Sequence, residues 1–509
     1  MRSPAKQRRF RSKTGSANSL ASTAVAEVDH SGNPHHVRRW YVLAVIGVAQ
    51  LMVVLDATIV NIALPSAQAD LGFSNGSRQW VITAYALAFG GLLLLGGRLS
   101  DLFGRKWTFI AGLIGFSVAS AIGGSAQSFE VLVFARALQG AFGAILAPAA
   151  LSILTTTFTD EAERGKAFAI FGAISGGGAA IGLLLGGVLT EYLSWRWCLY
   201  VNLFFAIPAA LVALWLIKNV ASAAHAELDI PGTILGCGGL LLVVFGFSKA
   251  ESAGWGAPIT LAMLGGAALL LVLFYFWLRR AAHPLLPLRV VEDRNRGGSF
   301  LTILIAGLGI FGVFLFLTYF MQQSLNFTPI QAGLAFLPMP VCIVTASIVA
   351  QTRFLPKTGP RPLVVTGMIF GAAGMTYLAQ LDINSTYGPN VLPGLMILGL
   401  GFGMIFATAI NTATLGVIPE DAGVASALVN TCQQVGGAAG TALLSTIAAT
   451  ATVNYASGKV ASSSVAASAA IHGYTAAFWF SAAIFVVGAI VGGLMLRGGP
   501  NMTVAESAT

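Results

Sequence analysis

The sequence predicts an all-α integral membrane protein, and three observations lead there. Its 509 residues are 56% hydrophobic and only 9% charged, where a soluble domain carries about 25% charged residues. Apolar stretches long enough to cross a bilayer recur along the chain, and mean hydropathy is +0.80. The pattern of these stretches also repeats itself. The 60 glycines suit helices packed closely in lipid, where small residues let backbones approach.

Residues 1–38 are polar and basic and lack the apolar core of about 7–15 residues that marks a signal peptide. They are expected to be a disordered cytoplasmic tail. Stretches of about 20 apolar residues can cross the hydrocarbon core. Fourteen follow in order: 39–62, 79–97, 107–125, 130–154, 165–189, 197–217, 231–248, 258–278, 298–321, 331–350, 362–380, 391–414, 423–447 and 474–496. An even number puts both termini on one side, and Lys and Arg mark the cytoplasmic side. Of the 28 Lys and Arg, only Arg78, Arg196, Lys249 and Lys459 fall in the opposite loops and Arg136 lies within a span. The remainder crowd the side of the termini, so both termini are expected in the cytoplasm, with a second tail at 497–509. The net charge of +9 therefore reflects topology rather than affinity for nucleic acid. Cys198, Cys237, Cys342 and Cys432 all lie in apolar segments and argue for no disulfide framework.

The internal repeat sets the domain organisation. "RKWTFIAG" (105–112) follows Gly104 and "PRPLVVTG" (360–367) follows Gly359, each with a basic residue two places after the glycine. "GAILAPA" (143–149) matches "GMIFATA" (403–409), "DEA" (160–162) matches "EDA" (420–422), and "GGGAA" (176–180) matches "GGAAG" (436–440), all in one register. Two related six-helix bundles are expected, over 39–217 and 298–496. Residues 218–297 form an inserted two-helix segment with cytoplasmic linkers, expected at the periphery. Parallel repeats around a central cavity are a transporter architecture.

The chemistry begins with "QLMVVLDATIVNIALP" (50–65), which carries a lone carboxylate, Asp56. A charge at bilayer depth costs at least about 2.5 kcal/mol. Span 1 enters near residue 40, placing Asp56 roughly 24 Å along its helix, and span 4 enters from the far side, placing Arg136 about 9 Å from that surface. In a core of about 30 Å the two depths agree. The pair reads either as a structural ion pair or as a proton carrier with its arginine partner, and intramembrane ionisable groups are functional by default. No histidine falls within the fourteen stretches, which argues against a histidine relay.

"GGRLSDLFGRKW" (96–107) joins spans 2 and 3 on the cytoplasmic side. Its Gly97, Leu99, Asp101, Gly104, Arg105 and Lys106 match the G-x-L-x-D-x-x-G-R-K signature, and the chain here resembles the major facilitator superfamily. "RALQGAFGAILAP" (136–148) resembles that superfamily's fourth-helix motif, whose arginine is linked to proton transfer. "LDATIVNIALP" (55–65) is similar to the first-helix motif of its fourteen-helix drug:proton antiporters. The resemblance extends over nearly the whole chain after residue 39, including "WRW" (195–197) and "HPLLPLRV" (283–290). It implies the major facilitator fold with 14 transmembrane helices, two six-helix bundles plus two extra helices. It further implies a latch role for Gly97, Asp101, Gly104, Arg105 and Lys106, and a bacterial plasma membrane. "GAISGGGAAIGLLLGG" (172–187) occupies the antiporter glycine motif of the fifth helix through Gly178, Gly182, Gly186 and Gly187. Two places usually held by proline carry Ala179 and Leu183, so the proline-dependent bend is not expected.

Asn430, Gln433 and Gln434 fall at i, i+3 and i+4, on one face of span 13. With Asn411, Tyr319, Gln322 and Gln323 they are candidates to line a substrate cavity, or to join helices as buried amides do. The sequence favours a proton-coupled exporter of hydrophobic or cationic small molecules such as drugs, dyes or antibiotics, acting as a monomer without a cofactor. A proton-coupled transporter of one metabolite, including an importer, is the alternative. A membrane-embedded enzyme fits less well, because no span carries a His/Asp/Glu cluster and no phosphate-binding loop is present.

Overall fold

The computed structural model describes residues 38–73, 80–218, 228–457, 459–460 and 462–499. The proposed tails at 1–38 and 497–509 lie almost wholly outside the described residues. Among the described residues fourteen long helical segments succeed one another, beginning with α1 (Arg39–Leu71), α2 (Trp80–Phe103), α3 (Arg105–Gly124), α4 (Phe129–Thr157), α5 (Glu161–Tyr192), α6 (Trp197–Leu216), α7 (Ile230–Ala253) and α8 (Pro258–Leu278). After a short helix at Leu288–Glu292 come α9 (Arg294–Tyr319) and a broken α10, made of Pro329–Phe336 and Pro338–Val349 and continued by a π turn at Ala350–Phe354. The last are α11 (Pro360–Leu378), α12 (Leu392–Thr414), α13 (Ala422–Ala456) and α14 (Ser463–Met495). Twelve helices among the described residues are long and apolar enough to cross a membrane; α5 and α11 fall outside that set. The expected count of fourteen is thus met by twelve on length and composition, while α5 and α11 pack among the others.

Local chemistry sets the helix ends. Side chains of Ser128, Asp160, Asp229, Asp293 and Ser462 accept the first free backbone N–H groups of α4, α5, α7, α9 and α14, satisfying donors that a helix start leaves open. Gly104 takes φ +86° between α2 and α3, a conformation that favours glycine. The Ser462 cap starts α14 eleven residues before the expected 474. This brings His472 into a membrane-spanning helix, contrary to the expectation that no histidine lies in one. His472 is exposed and its ring rests 5.0 Å from that of Tyr455.

Helix pairing repeats. In the first six helices the main contacts are α2 with α4, α3 with α4, α1 with α5, α3 with α6, and α1 with α6. The same five pairings recur eight helices later, from α10 with α12 to α9 with α14. The two groups meet where α2 packs on α13 and α5 packs on α10. α8 packs chiefly on α7, but α7 packs on both α2 and α13, so only α8 takes the peripheral place expected for the pair.

Glycines bring these helices close. A Cβ on Gly96 would strike the backbone of Ala144, and one on Gly140 would strike the Tyr85 carbonyl and lie 3.0 Å from the Ala88 Cβ. The α2–α4 crossing therefore depends on bare backbone on both sides. Gly140→Ala should lower stability by about 1–3 kcal/mol through overpacking, read as a lower melting temperature in detergent. Gly265→Ala on α8, where an added Cβ meets nothing within 4 Å, should leave it unchanged or slightly raised.

Candidate functional site

Asp56 is 0% exposed and Arg136 2%, and the structure brings them together. Arg136 Nη1 donates to Asp56 Oδ2 at 2.6 Å and to Gln139 Oε1 at 2.7 Å. Gln139 Nε2 donates in turn to Asp56 Oδ1 at 2.9 Å and to Ser120 Oγ at 2.7 Å. Asn202 Nδ2 reaches Asp56 Oδ1 at 2.8 Å. Arg136 Nε donates to the Val81 carbonyl at 3.3 Å, and its guanidinium lies 4.4 Å from the centre of the Tyr85 ring. Five helices thus converge on one carboxylate. A buried charge is tolerable only when paired and hydrogen-bonded, and here both oxygens are occupied.

The glycine motif of α5 serves this site. Cβ atoms on Gly178, Gly182 and Gly186 would press on Val54, on Thr58 and on Ile59 respectively, so α5 lies directly along the segment of α1 that holds Asp56. Gly187 faces Ile330 of α10, 3.5 Å from where its Cβ would be. The side chains of Ala179 and Leu183 lie outside the described residues.

On the face where α1 begins and α2 ends, the near face, the loop residues tie the two groups of helices together. Asp101 Oδ1 accepts the Gly423 N–H at 3.0 Å, and Oδ2 accepts that of Val424 at 3.2 Å. A carboxylate from α2 thus sits on the first turn of α13, where free N–H groups and the helix dipole favour an anion. The approach needs glycine on both helices. A Cβ on Gly97 would lie 2.5 Å from that of Ala427, and one on Gly423 would lie 2.5 Å from the Gly97 carbonyl oxygen. Arg105 donates to Ser152 Oγ at 2.8 Å and lies near enough to Asp101 and Glu420 to feel their charges. Lys106 Nζ donates to the Leu214 carbonyl at 2.7 Å, at the last turn of α6. Asp421 at the start of α13 is held by Arg289, with Nε to Oδ2 at 2.7 Å.

A second clamp was not visible in the sequence. Arg164, at the start of α5 and buried, donates to Asn411 Oδ1 at 2.8 Å and to Thr414 Oγ1 at 2.9 Å on α12. Asn411 Nδ2 donates to Gln351 Oε1 at 3.0 Å. Arg164 reads in the sequence only as one more basic residue of a loop. Gln139 had a legible signal, since it follows Arg136 by three residues and shares its face; Asn202, Ser120 and Tyr85 had none.

The candidate cavity residues are scattered. Asn411 is committed to Arg164, and Asn430 donates to the Ser426 carbonyl of its own helix. Tyr319 is exposed and stacks at 6.4 Å on Tyr474, whose hydroxyl bonds to Gln323. Gln322, Gln433 and Gln434 are half-buried.

Membrane-spanning helices in two repeated groups, clamped by polar side chains at the near face and holding a buried acid–base pair inside the first group, have the architecture of a transporter. The Major Facilitator Superfamily model matches residues 46–441, and the chain belongs to that family. It is 50% identical over 90% of its length to a puromycin resistance protein of Streptomyces alboniger, covering 92% of that protein. It is 39% identical over 79% of its length to a cephamycin export protein of Amycolatopsis lactamdurans, covering 84% of that chain. A crystal structure of the human organic anion transporter MFSD10 shares the fold, with a TM-score of 0.62 at 16% identity over 89% of this chain and 99% of that one. The chain is a multi-pass membrane transporter of the drug-efflux type.

The near-face clamps predict a conformational effect. Asp101→Ala removes two charge-assisted bonds, each worth about 1.5–3 kcal/mol, and Arg164→Gln weakens the second clamp. Each should raise at least about tenfold the rate at which a thiol reagent labels Thr408→Cys, a buried position on α12, in an otherwise cysteine-free chain. Substrate affinity should change less than about threefold.

Proposed function

We propose that the chain exports hydrophobic or cationic antibiotic-like molecules across a bacterial plasma membrane, as a monomer, in exchange for protons. The observation that carries this reading is the fully buried Asp56–Arg136 pair. Removing one partner of such a pair costs about 3–5 kcal/mol, yet the pair as a whole is often no more stabilising than apolar residues. Its retention argues for a task, and carrying a proton is a task that a carboxylate in lipid can perform. Protonating Asp56 removes the charge around which Arg136, Gln139 and Asn202 are arranged, and so favours another packing of α1, α4 and α6. The charge bias supports cytoplasmic termini, which makes the near face cytoplasmic and its clamps the inner gate.

In this reading the bundles at 39–217 and 298–496 rock about the α2–α13 and α5–α10 seams. Residues 97, 101, 104, 105 and 106 latch the inner side. The resistance and export proteins named above point to antibiotics as the substrate class, and the half-buried amides Gln322, Gln433 and Gln434 suit polar groups on a largely apolar molecule.

The test is uphill transport in everted vesicles loaded with the chain, using puromycin and a cationic dye. Asp56→Asn should abolish accumulation driven by a proton gradient while leaving downhill counterflow within about threefold of the parent, since binding and rocking need no proton. Asp56→Glu should retain part of the uphill activity. Full uphill transport by Asp56→Asn would reduce the pair to a structural role.

A further inference from the structure

Two amides face the same oxygen of Asp56, and only one of them is free to turn. We infer that Asn202 is a positioning residue that follows the protonation of Asp56. It donates to the ionised carboxylate, and its amide turns over to accept from the protonated acid. This rests on the reading of Asp56 as the proton carrier.

The logic is that of donors and acceptors. A carboxylate only accepts and a guanidinium only donates. Oδ2 of Asp56 faces Arg136 Nη1 at 2.6 Å, so a proton placed there would meet a donor. The proton therefore belongs on Oδ1, which receives Gln139 Nε2 at 2.9 Å and Asn202 Nδ2 at 2.8 Å. Once Oδ1 carries a proton, it has to donate to one of these amides. Gln139 is locked, because its Oε1 accepts from Arg136 and turning it would set its NH₂ against the guanidinium. Asn202 is not locked. It is fully buried, and its Oδ1 accepts a hydrogen bond from no described residue. Its other contact is a long one, Nδ2 to Ser120 Oγ at 3.3 Å. A hydroxyl can donate as readily as it accepts, so this contact survives the turn with its direction reversed.

After a half-turn about the amide torsion, which is broad and roughly two-fold for asparagine, Asn202 Oδ1 accepts from both Asp56 and Ser120. One end of the amide lacks a partner in either state, so neither orientation is strongly disfavoured by the cage itself. The other titratable groups around the pocket are Arg136 on α4, Tyr85 on α2 and Cys198 on α6, the last two close enough to feel the Asp56 charge. α3 contributes Ser120, and α5 presents its glycines.

The experiment is infrared difference spectroscopy of the full chain in lipid, from acid to alkaline pH, with isotope-labelled asparagine to assign amide bands. A carboxylic acid band absent from Asp56→Asn should appear on acidification. In step with it, one asparagine carbonyl band should move to lower frequency, and that band should be missing from Asn202→Leu. In vesicles, Asn202→Leu should lose about tenfold in uphill transport, the size of one hydrogen bond to a charged group. Downhill counterflow should change less than about twofold, whereas a merely structural role would depress both together. If Asn202→Leu does not fold, the labelled parent spectrum still decides. If no Asp56 band titrates, the proton-carrier reading fails and this inference with it. If the Asp56 band titrates while every asparagine carbonyl stays fixed, or Asn202→Leu keeps full uphill transport, the role of Asn202 alone is overturned.

Discussion

A carboxylate buried in lipid cannot be left to solvent, and the first six helices are arranged around that constraint. Asp56 draws Arg136 and Gln139 from α4, Asn202 from α6 and, through them, Ser120 from α3. Arg136 extends the set to α2 through the Val81 carbonyl and the Tyr85 ring. Each contact fixes a helix in depth and rotation at once, because a hydrogen bond tolerates only a few tenths of an ångström. The glycines of α5 make the arrangement possible by letting it lie on the Asp56 segment without side chains in between. One polar cluster thus sets the register of helices whose apolar surfaces alone, indifferent to lipid or protein neighbours, would not.

The seam between the two groups of helices follows a different logic. It is built from close backbone approaches, such as Gly97 against Gly423, and from a few polar clamps gathered at one face. Small-residue contacts are weak and can be remade after sliding, while Asp101 on the first turn of α13 and Arg164 on α12 are strong but few. Such an interface is suited to two discrete arrangements. Arg289 on Asp421 ties the segment that follows α8 to the same end of α13.

The inserted helices have a structural part in the same seam. α2 and α13 touch directly near the clamps, but further along α7 lies between them. The Thr83 and Ser248 hydroxyls meet at 3.3 Å on one side, and Trp255, in the turn just after α7, donates from Nε1 to Thr446 Oγ1 at 2.9 Å on the other. α7 therefore bridges both groups, whereas α8 presents mostly apolar surface outward, as a helix against lipid does.

Hydropathy, charge bias and the repeat were enough to predict a helical membrane protein with repeated halves, because the energetic cost of polar backbone and charge in lipid is written directly in composition and order. Asp56, Arg136 and Asp101 were legible for the same reason: each is a charge where charge is expensive or where a loop signature places it. The tertiary structure alone decided what those charges meet. Asn202, Arg164 and Asn411 are polar residues with no periodic signal, and the side chains they hydrogen-bond to lie 60 to 250 positions away. It also decided that α7 bridges the seam, that α14 begins early enough to include His472, and that Asn411 is spent on a clamp. These outcomes depend on which helix faces which, and in lipid that is set by small-residue packing and hydrogen-bond geometry, neither of which hydropathy records.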